Sequence, residues 1–241
     1  MTAPKLFLGA VGILIAFVCV YWGVRFLYLL NASKKLVAAA VPYEHLTADT
    51  SVSMLVLGDS TAVGVGASTS TESLPGLVAH FTGATYVENH AVSGAVVSDL
   101  AGQIGKAELT RYDLILVQIG ANDIVRFHDA RETAERLSKV LGTLPQAEHV
   151  VVLSAGDVGA ATLFPEPIRP FYTRLNQGFH QEFSRALAAQ GITYVNLSTG
   201  PGVELFIEQP NVYLAADGFH PSSAGYGLWF EAVRSYLKAN K

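Results

Sequence analysis

The stretch Val56-Leu57-Gly58-Asp59-Ser60-Thr61-Ala62 sets a serine hydroxyl just beyond an apolar run, Met54 to Leu57, with further glycines at Gly64 and Gly66. Such a run reads as a buried strand, and open α/β sheets bind their ligands at the carboxyl ends of strands. Ser60 is therefore a candidate nucleophile. A serine hydroxyl is weak alone. It needs a base to take its proton, a group to orient that base, and donors for the charge of a tetrahedral intermediate. Gly-Asp-Ser also occurs in ordinary turns, where all three residue types are favoured. The rest of the chain has to supply the partners.

Short apolar, β-branched runs alternate with helical patterns. Strands are expected at Ser53–Leu57, Thr85–Ala91, Leu114–Ile119, His149–Ser154 and Thr193–Leu197. The first is apolar throughout, as a strand buried on both faces should be. Helices are expected at Leu74–Phe81, with Ser73 as cap and Pro75 in the first turn, and at Ser98–Lys106, capped by Ser98. Further helices are expected at Ala130–Leu144, ended by Pro145, at Pro170–Gln190, closed by Gly191, and from Ser222 or Ser223 to about Leu237. Strands alternating with helices mean a parallel sheet covered on both sides. The expected fold is a three-layer α/β/α sandwich with a mostly parallel five-stranded sheet, preceded by one N-terminal transmembrane helix.

Four stretches then stand at the carboxyl ends of strands or just before the last helix. They are Gly58-Asp59-Ser60, Asn89-His90-Ala91-Val92-Ser93-Gly94-Ala95, Gly120-Ala121-Asn122-Asp123 and Asp217-Gly218-Phe219-His220-Pro221. In these four blocks, in this order, the sequence resembles the SGNH (GDSL-type) hydrolase superfamily from Ser51 to about Leu237. The resemblance implies Ser60 as nucleophile, His220 as general base and Asp217 as its orienting acid. It also implies an oxyanion hole made of the Ser60 N–H, the Gly94 N–H and the Asn122 side-chain amide. The chemistry wants the same residue types. An imidazole must hold one tautomer to accept the serine proton, and an acid three residues away can contact its far nitrogen through a short turn. Gly94 lets an N–H face the site without a side chain in the way, and Asn122 offers an uncharged amide. Asp59 is expected to order the serine loop through backbone N–H groups, and Asp123 to cap or turn. This is not the common α/β-hydrolase elbow, because Gly58-Asp59-Ser60-Thr61-Ala62 lacks the second glycine of Gly-x-Ser-x-Gly.

Val63, Phe127, Phe164 and Phe219 are candidates for an acyl pocket, with core packing as the competing reading for each. His45, His80, His90, His128, His149 and His180 are scattered without zinc-ligand spacing, so no metal or other cofactor is expected. His90 reads as a satisfied, partly buried histidine. Gly64-Val65-Gly66 lacks the Gly-Lys-Ser/Thr that would make it a phosphate loop.

Leu6 to Val24 is nineteen residues without a charge, enough to cross a hydrocarbon core. Tyr21, Trp22 and Tyr28 suit an interfacial belt, and Arg25 suits snorkelling toward head groups. A cleaved signal peptide is the alternative. Against it, the run exceeds a typical h-region and no small-x-small site follows closely, Ala38-Ala39-Ala40 lying well downstream. The single cysteine, Cys19, reads as a small apolar residue of the span. Residues 1–30 are thus read as a membrane anchor, 31–50 as a linker and 51–241 as the hydrolase domain. Lys5 on one side and Arg25, Lys34 and Lys35 on the other leave the charge rule undecided. The single-pass, signal-anchor layout favours an extracytoplasmic domain. A net charge of −4 with no basic run beyond Lys34-Lys35 argues against nucleic acid as partner. Oligomeric state is open.

The expected function is a serine esterase acting on lipid or cell-envelope esters through an acyl-enzyme. Two alternatives stand beside it. One is a carbohydrate O-acetylesterase or acyltransferase working on envelope glycans. The other, of a different class, is a non-catalytic envelope-binding module on the same scaffold.

Overall fold

The computed structural model describes residues 3–200 and 202–239. The first two positions of the expected anchor and the side chain of Lys5, used in the charge count above, lie outside the described residues. In chain order the elements are α1 (Ala3–Ala39), β1 (Ser53–Gly58), α2 (Ser60–Val63), α3 (Leu74–Thr82), β2 (Tyr86–Asn89), α4 (Leu100–Ile104), β3 (Arg111–Gln118), α5 (Ala121–Val125) and α6 (Ala130–Leu141). They continue with β4 (Gln146–Leu153), α7 (Arg169–Ala188), β5 (Thr193–Val195), α8 (Leu205–Glu208), α9 (Pro210–Tyr213) and α10 (Ser223–Ala239).

The five strands pair in the order β2-β1-β3-β4-β5, every pair parallel. Strand alternation divides the core between the two faces. Leu55, Leu57, Ile115, Val117 and Val152 pack with buried residues of α4, α5, α6 and α7. Met54, Val56, Leu114, Leu116, Val151 and Leu153 pack with Leu74, Val78 and Ala79 of α3 and Tyr226, Trp229, Val233 and Leu237 of α10. The three-layer α/β/α sandwich expected from the alternating pattern is the fold observed. Its strand order reverses at β1, between β2 and β3, so the crevice beyond the carboxyl ends of β1 and β3 is where such a sheet takes its ligand.

Some boundaries differ, for physical reasons. Ser73 caps α3 as expected, accepting from the Gly76 N–H with Pro75 in the first turn. Ser98 does not cap the next helix. A tight turn at Val97–Asp99 precedes α4, and the Asp99 carboxylate accepts the Val96 N–H instead. Strand β4 starts three residues early, because its half-exposed first half pairs with Arg111 and Tyr112 without showing an apolar run. The expected linker is partly helix. α1 runs on to Ala39 through Lys34, Lys35 and an alanine-rich stretch, all strong helix formers. Beyond it, His45 forms an antiparallel bridge to Val87, and the Thr47 hydroxyl donates to the Thr85 carbonyl. The linker thus covers the open edge of β2. Within α1 is one helix, Ala10–Ala39, long and apolar enough to cross a membrane.

Candidate active site

The serine loop is fastened before the chemistry begins. Gly58 ends β1, and the Gln103 side-chain amide of α4 brackets it, accepting its N–H at 2.7 Å and donating to its carbonyl at 2.8 Å. The next N–H, of Asp59, donates across to the Gln118 carbonyl of β3. Asp59 then caps α2, accepting the Thr61 N–H at 2.9 Å and the Thr61 hydroxyl at 2.7 Å. Ser60 is the first residue of α2.

Ser60 Oγ lies 2.8 Å from His220 Nε2, and His220 Nδ1 lies 2.6 Å from Asp217 Oδ2. All three residues are buried. The other Asp217 oxygen accepts the N–H groups of Phe219 (3.0 Å) and His220 (3.1 Å), so the acid fixes its own loop as well as the ring. Burial works to raise the Asp217 pKa. The hydrogen bond from His220, the charge of that ring and the two N–H groups outweigh it and hold the carboxyl below its ordinary value. The acid therefore stays ionised beside the imidazole.

The donor side is built by α5. Asn122 Nδ2 donates to the Ala95 carbonyl at 3.0 Å, which leaves its second amide hydrogen for the site. Asp123, buried, accepts the Val97 N–H at 3.1 Å and pairs with His128 Nδ1 at 2.9 Å. It braces α5 against the loop after β2 instead of capping or turning as expected. Arg126 Nη2 donates to the Gly94 carbonyl at 2.9 Å. Helix α5 and the residue that ends it thus grip the loop after β2 at Gly94, Ala95 and Val97. Gly94 has a φ of +84°, where an L side chain is strained. Among the described residues, the N–H groups of Ser60 and Gly94 donate to no protein acceptor.

The pocket candidates separate. Phe219 lines a cavity beside the triad, together with Thr61, Ala121 and Pro221. Val63 is buried in α2, and Phe164 is buried in the core, stacked on Tyr172 at 4.2 Å between ring centroids. Phe127 is 59% exposed and leans on Phe171 and Tyr172. These three lie outside the lining of that cavity, whose other walls include residues 155–158 and 160–161, Leu197, Phe206 and Trp229. His90 bonds Glu88 at 2.9 Å, away from Ser60. Gly64-Val65-Gly66 turns out to be a packing surface, with the Gly66 backbone laid against Pro221, Ala215 and His220.

Asp59 carries a measurable consequence. Burial is the largest influence on it and pushes its pKa up to about 6 from 3.8, against the hydrogen bonds from Thr61 and the charge of His220. Between those two values the native state binds more protons than the unfolded one, so this group's contribution falls as pH rises from about 4 to 6. Asp217 acts in the opposite sense, and its contribution is lost as pH falls through its lowered native pKa. Asp59→Asn keeps an acceptor for Thr61 and removes the buried charge. It is expected to stabilise the protein by about 2 kcal/mol at pH 7.5, with the gain shrinking toward pH 4. Urea midpoints at the two pH values measure this, and equal gains at both would refute the buried-charge account.

A parallel sheet with serine, histidine and aspartate hydrogen-bonded in series at its carboxyl edge has the parts of a serine hydrolase. The chain belongs to the GDSL-like lipase/acylhydrolase family, whose family model matches residues 56–228. It is 29% identical over 186 residues to a GDSL-like esterase of Mycobacterium tuberculosis, covering 73% of this chain and 59% of that protein's length. Among solved structures, the phospholipase A1 of Streptomyces albidoflavus superposes with a TM-score of 0.61 at 22% identity, over 76% of this chain and 98% of that one. An extracellular lipase of Streptomyces rimosus gives a TM-score of 0.56 at 22% identity, over 76% and 99% of the two chains. At these identities the two superpositions speak for the fold.

Proposed function

We propose that this chain is a membrane-tethered serine esterase that cleaves carboxylic esters of lipid or cell-envelope type through an acyl-enzyme. The observation that carries the reading is the continuous hydrogen-bonded series from Ser60 Oγ through His220 to Asp217. In this mechanism His220 Nε2 takes the Ser60 proton as Oγ attacks the ester carbonyl carbon. Asp217 keeps Nδ1 protonated and stabilises the imidazolium that forms. The carbonyl oxygen, now anionic, is received by the N–H groups of Ser60 and Gly94 and the free amide hydrogen of Asn122. The intermediate collapses as His220 returns the proton to the departing alkoxide, leaving an ester on Ser60. Water, deprotonated by the same ring, then releases the acid and restores the serine.

Helix α1 supports the tether, and a bilayer there brings lipid and envelope esters within reach of an extracytoplasmic domain. The direct test is a pre-steady-state burst of nitrophenolate from 4-nitrophenyl acetate, equal in amount to the enzyme. A burst that persists in Ser60→Ala would overturn the assignment.

Arg126 belongs to this mechanism as a positioning residue, because it holds the carbonyl of one oxyanion donor from the end of the helix that bears another. Removing a donor outright costs about 10²–10³-fold in kcat, and loosening one is expected to cost about tenfold. Arg126→Ala should lower kcat by that factor with KM little changed, and Arg126→Lys should recover part of it. A fall confined to KM would place Arg126 in substrate binding instead.

A further inference from the structure

The geometry points to a short acyl group, of two to four carbons, as the part of the ester that this site accepts. The inference rests on the esterase reading above and concerns the cavity beside Ser60, whose volume is about 50 Å³. Its lining includes chain neighbours of the reacting groups. Thr61 follows Ser60, Ala121 precedes Asn122, and Phe219 and Pro221 flank His220. An acyl chain leaving the carbonyl carbon on this side enters it directly.

The cavity has an end. Trp229, Phe206, Leu197 and Leu214 line it and are all buried. The Trp229 indole lies so close to the Gly156 backbone that a Cβ there would sit 2.5 Å from it, and the Phe206 ring backs it at 5.9 Å between centroids. The lining suits an alkyl group, since its one carboxylate, Asp157, is already engaged by the Gly159 N–H at 2.8 Å and the Thr173 hydroxyl at 2.9 Å. At about 50 Å³ the space is well below the roughly 300–1,000 Å³ of pockets that enclose large ligands. Acetyl to butyryl fits. Longer chains must displace side chains packed at core density or leave the cavity for solvent.

The test uses the full chain in detergent with 4-nitrophenyl acetate, butyrate, hexanoate and octanoate. The expected kcat/KM is highest between acetate and butyrate and at least tenfold lower at octanoate. Phe206→Ala, which opens the closed end, should move the maximum to hexanoate or octanoate. Should that variant fail to fold, Ala160→Val narrows the same cavity and should lower the butyrate-to-acetate ratio by about tenfold. Octanoate hydrolysed as well as butyrate by the wild type, or a profile that a folded cavity variant leaves unmoved, overturns the inference. Ser60→Ala separates the two readings: hydrolysis independent of Ser60 at every chain length means that the esterase assignment itself has failed.

Discussion

Ser60→Ala and His220→Ala are each expected to lower kcat on 4-nitrophenyl acetate by about 10⁴- to 10⁶-fold, and the double variant by no more than either alone. The reason is geometric. At 2.8 Å the imidazole and the hydroxyl work as one device, so removing either part disables the whole. Asp217→Asn is expected to fall within the lower end of that range, since it leaves the loop hydrogen bonds partly intact but no longer holds Nδ1 protonated. A His220→Ala variant retaining more than a hundredth of wild-type kcat would mean that another group serves as base. His90 and His128, already paired with Glu88 and Asp123, are placed for other work.

Gly66→Ala is expected to lower kcat by about 10²-fold although Gly66 touches no substrate. A Cβ at this position would overlap the Pro221 carbonyl, sit 2.9 Å from the Ala215 Cβ and 3.2 Å from the His220 Cβ. Its φ of +96° adds strain for any L side chain. The segment that has to give carries the catalytic ring, and a displacement of about 1 Å at a reacting group costs on that order in rate. Circular dichroism and a thermal midpoint separate a displaced ring from a lost fold. A folded Gly66→Ala with undiminished kcat would show that the loop relaxes elsewhere.

What was readable in advance follows from where the physics is local. The central strands announce themselves because both faces are buried, which forces continuous apolar runs such as Leu114–Val117. Ser60, Asn122, Asp217 and His220 were legible through the resemblance of four short blocks to the SGNH superfamily, since each block taken alone is compatible with an ordinary turn. Gln103 was not identified, although a glutamine within the apolar stripe of Leu100 and Ile104 was a visible anomaly. Arg126 carried no signal: an arginine after an Asn-Asp turn looks like any exposed cation, and its bond to Gly94 joins residues 32 apart. The cavity walls were hidden for the same reason. They come from 155–161, Leu197, Phe206 and Trp229, brought together by topology and not by period. Of the four pocket candidates, Phe219 lines the cavity, whereas Val63, Phe127 and Phe164 do not. The helix running into residues 31–39 follows from alanine and lysine with no breaker before Pro42, which favour helix.

The bridge between His45 and Val87 sets a leash. From Ala39 to His45 the chain has six peptide steps, spanning at most about 20 Å fully extended. With α1 held in a bilayer, as proposed, the hydrolase domain patrols a thin shell above it and meets surface-bound esters at a high effective concentration. Lengthening that stretch with glycine and serine should then slow turnover of esters fixed in vesicles while leaving soluble ones untouched.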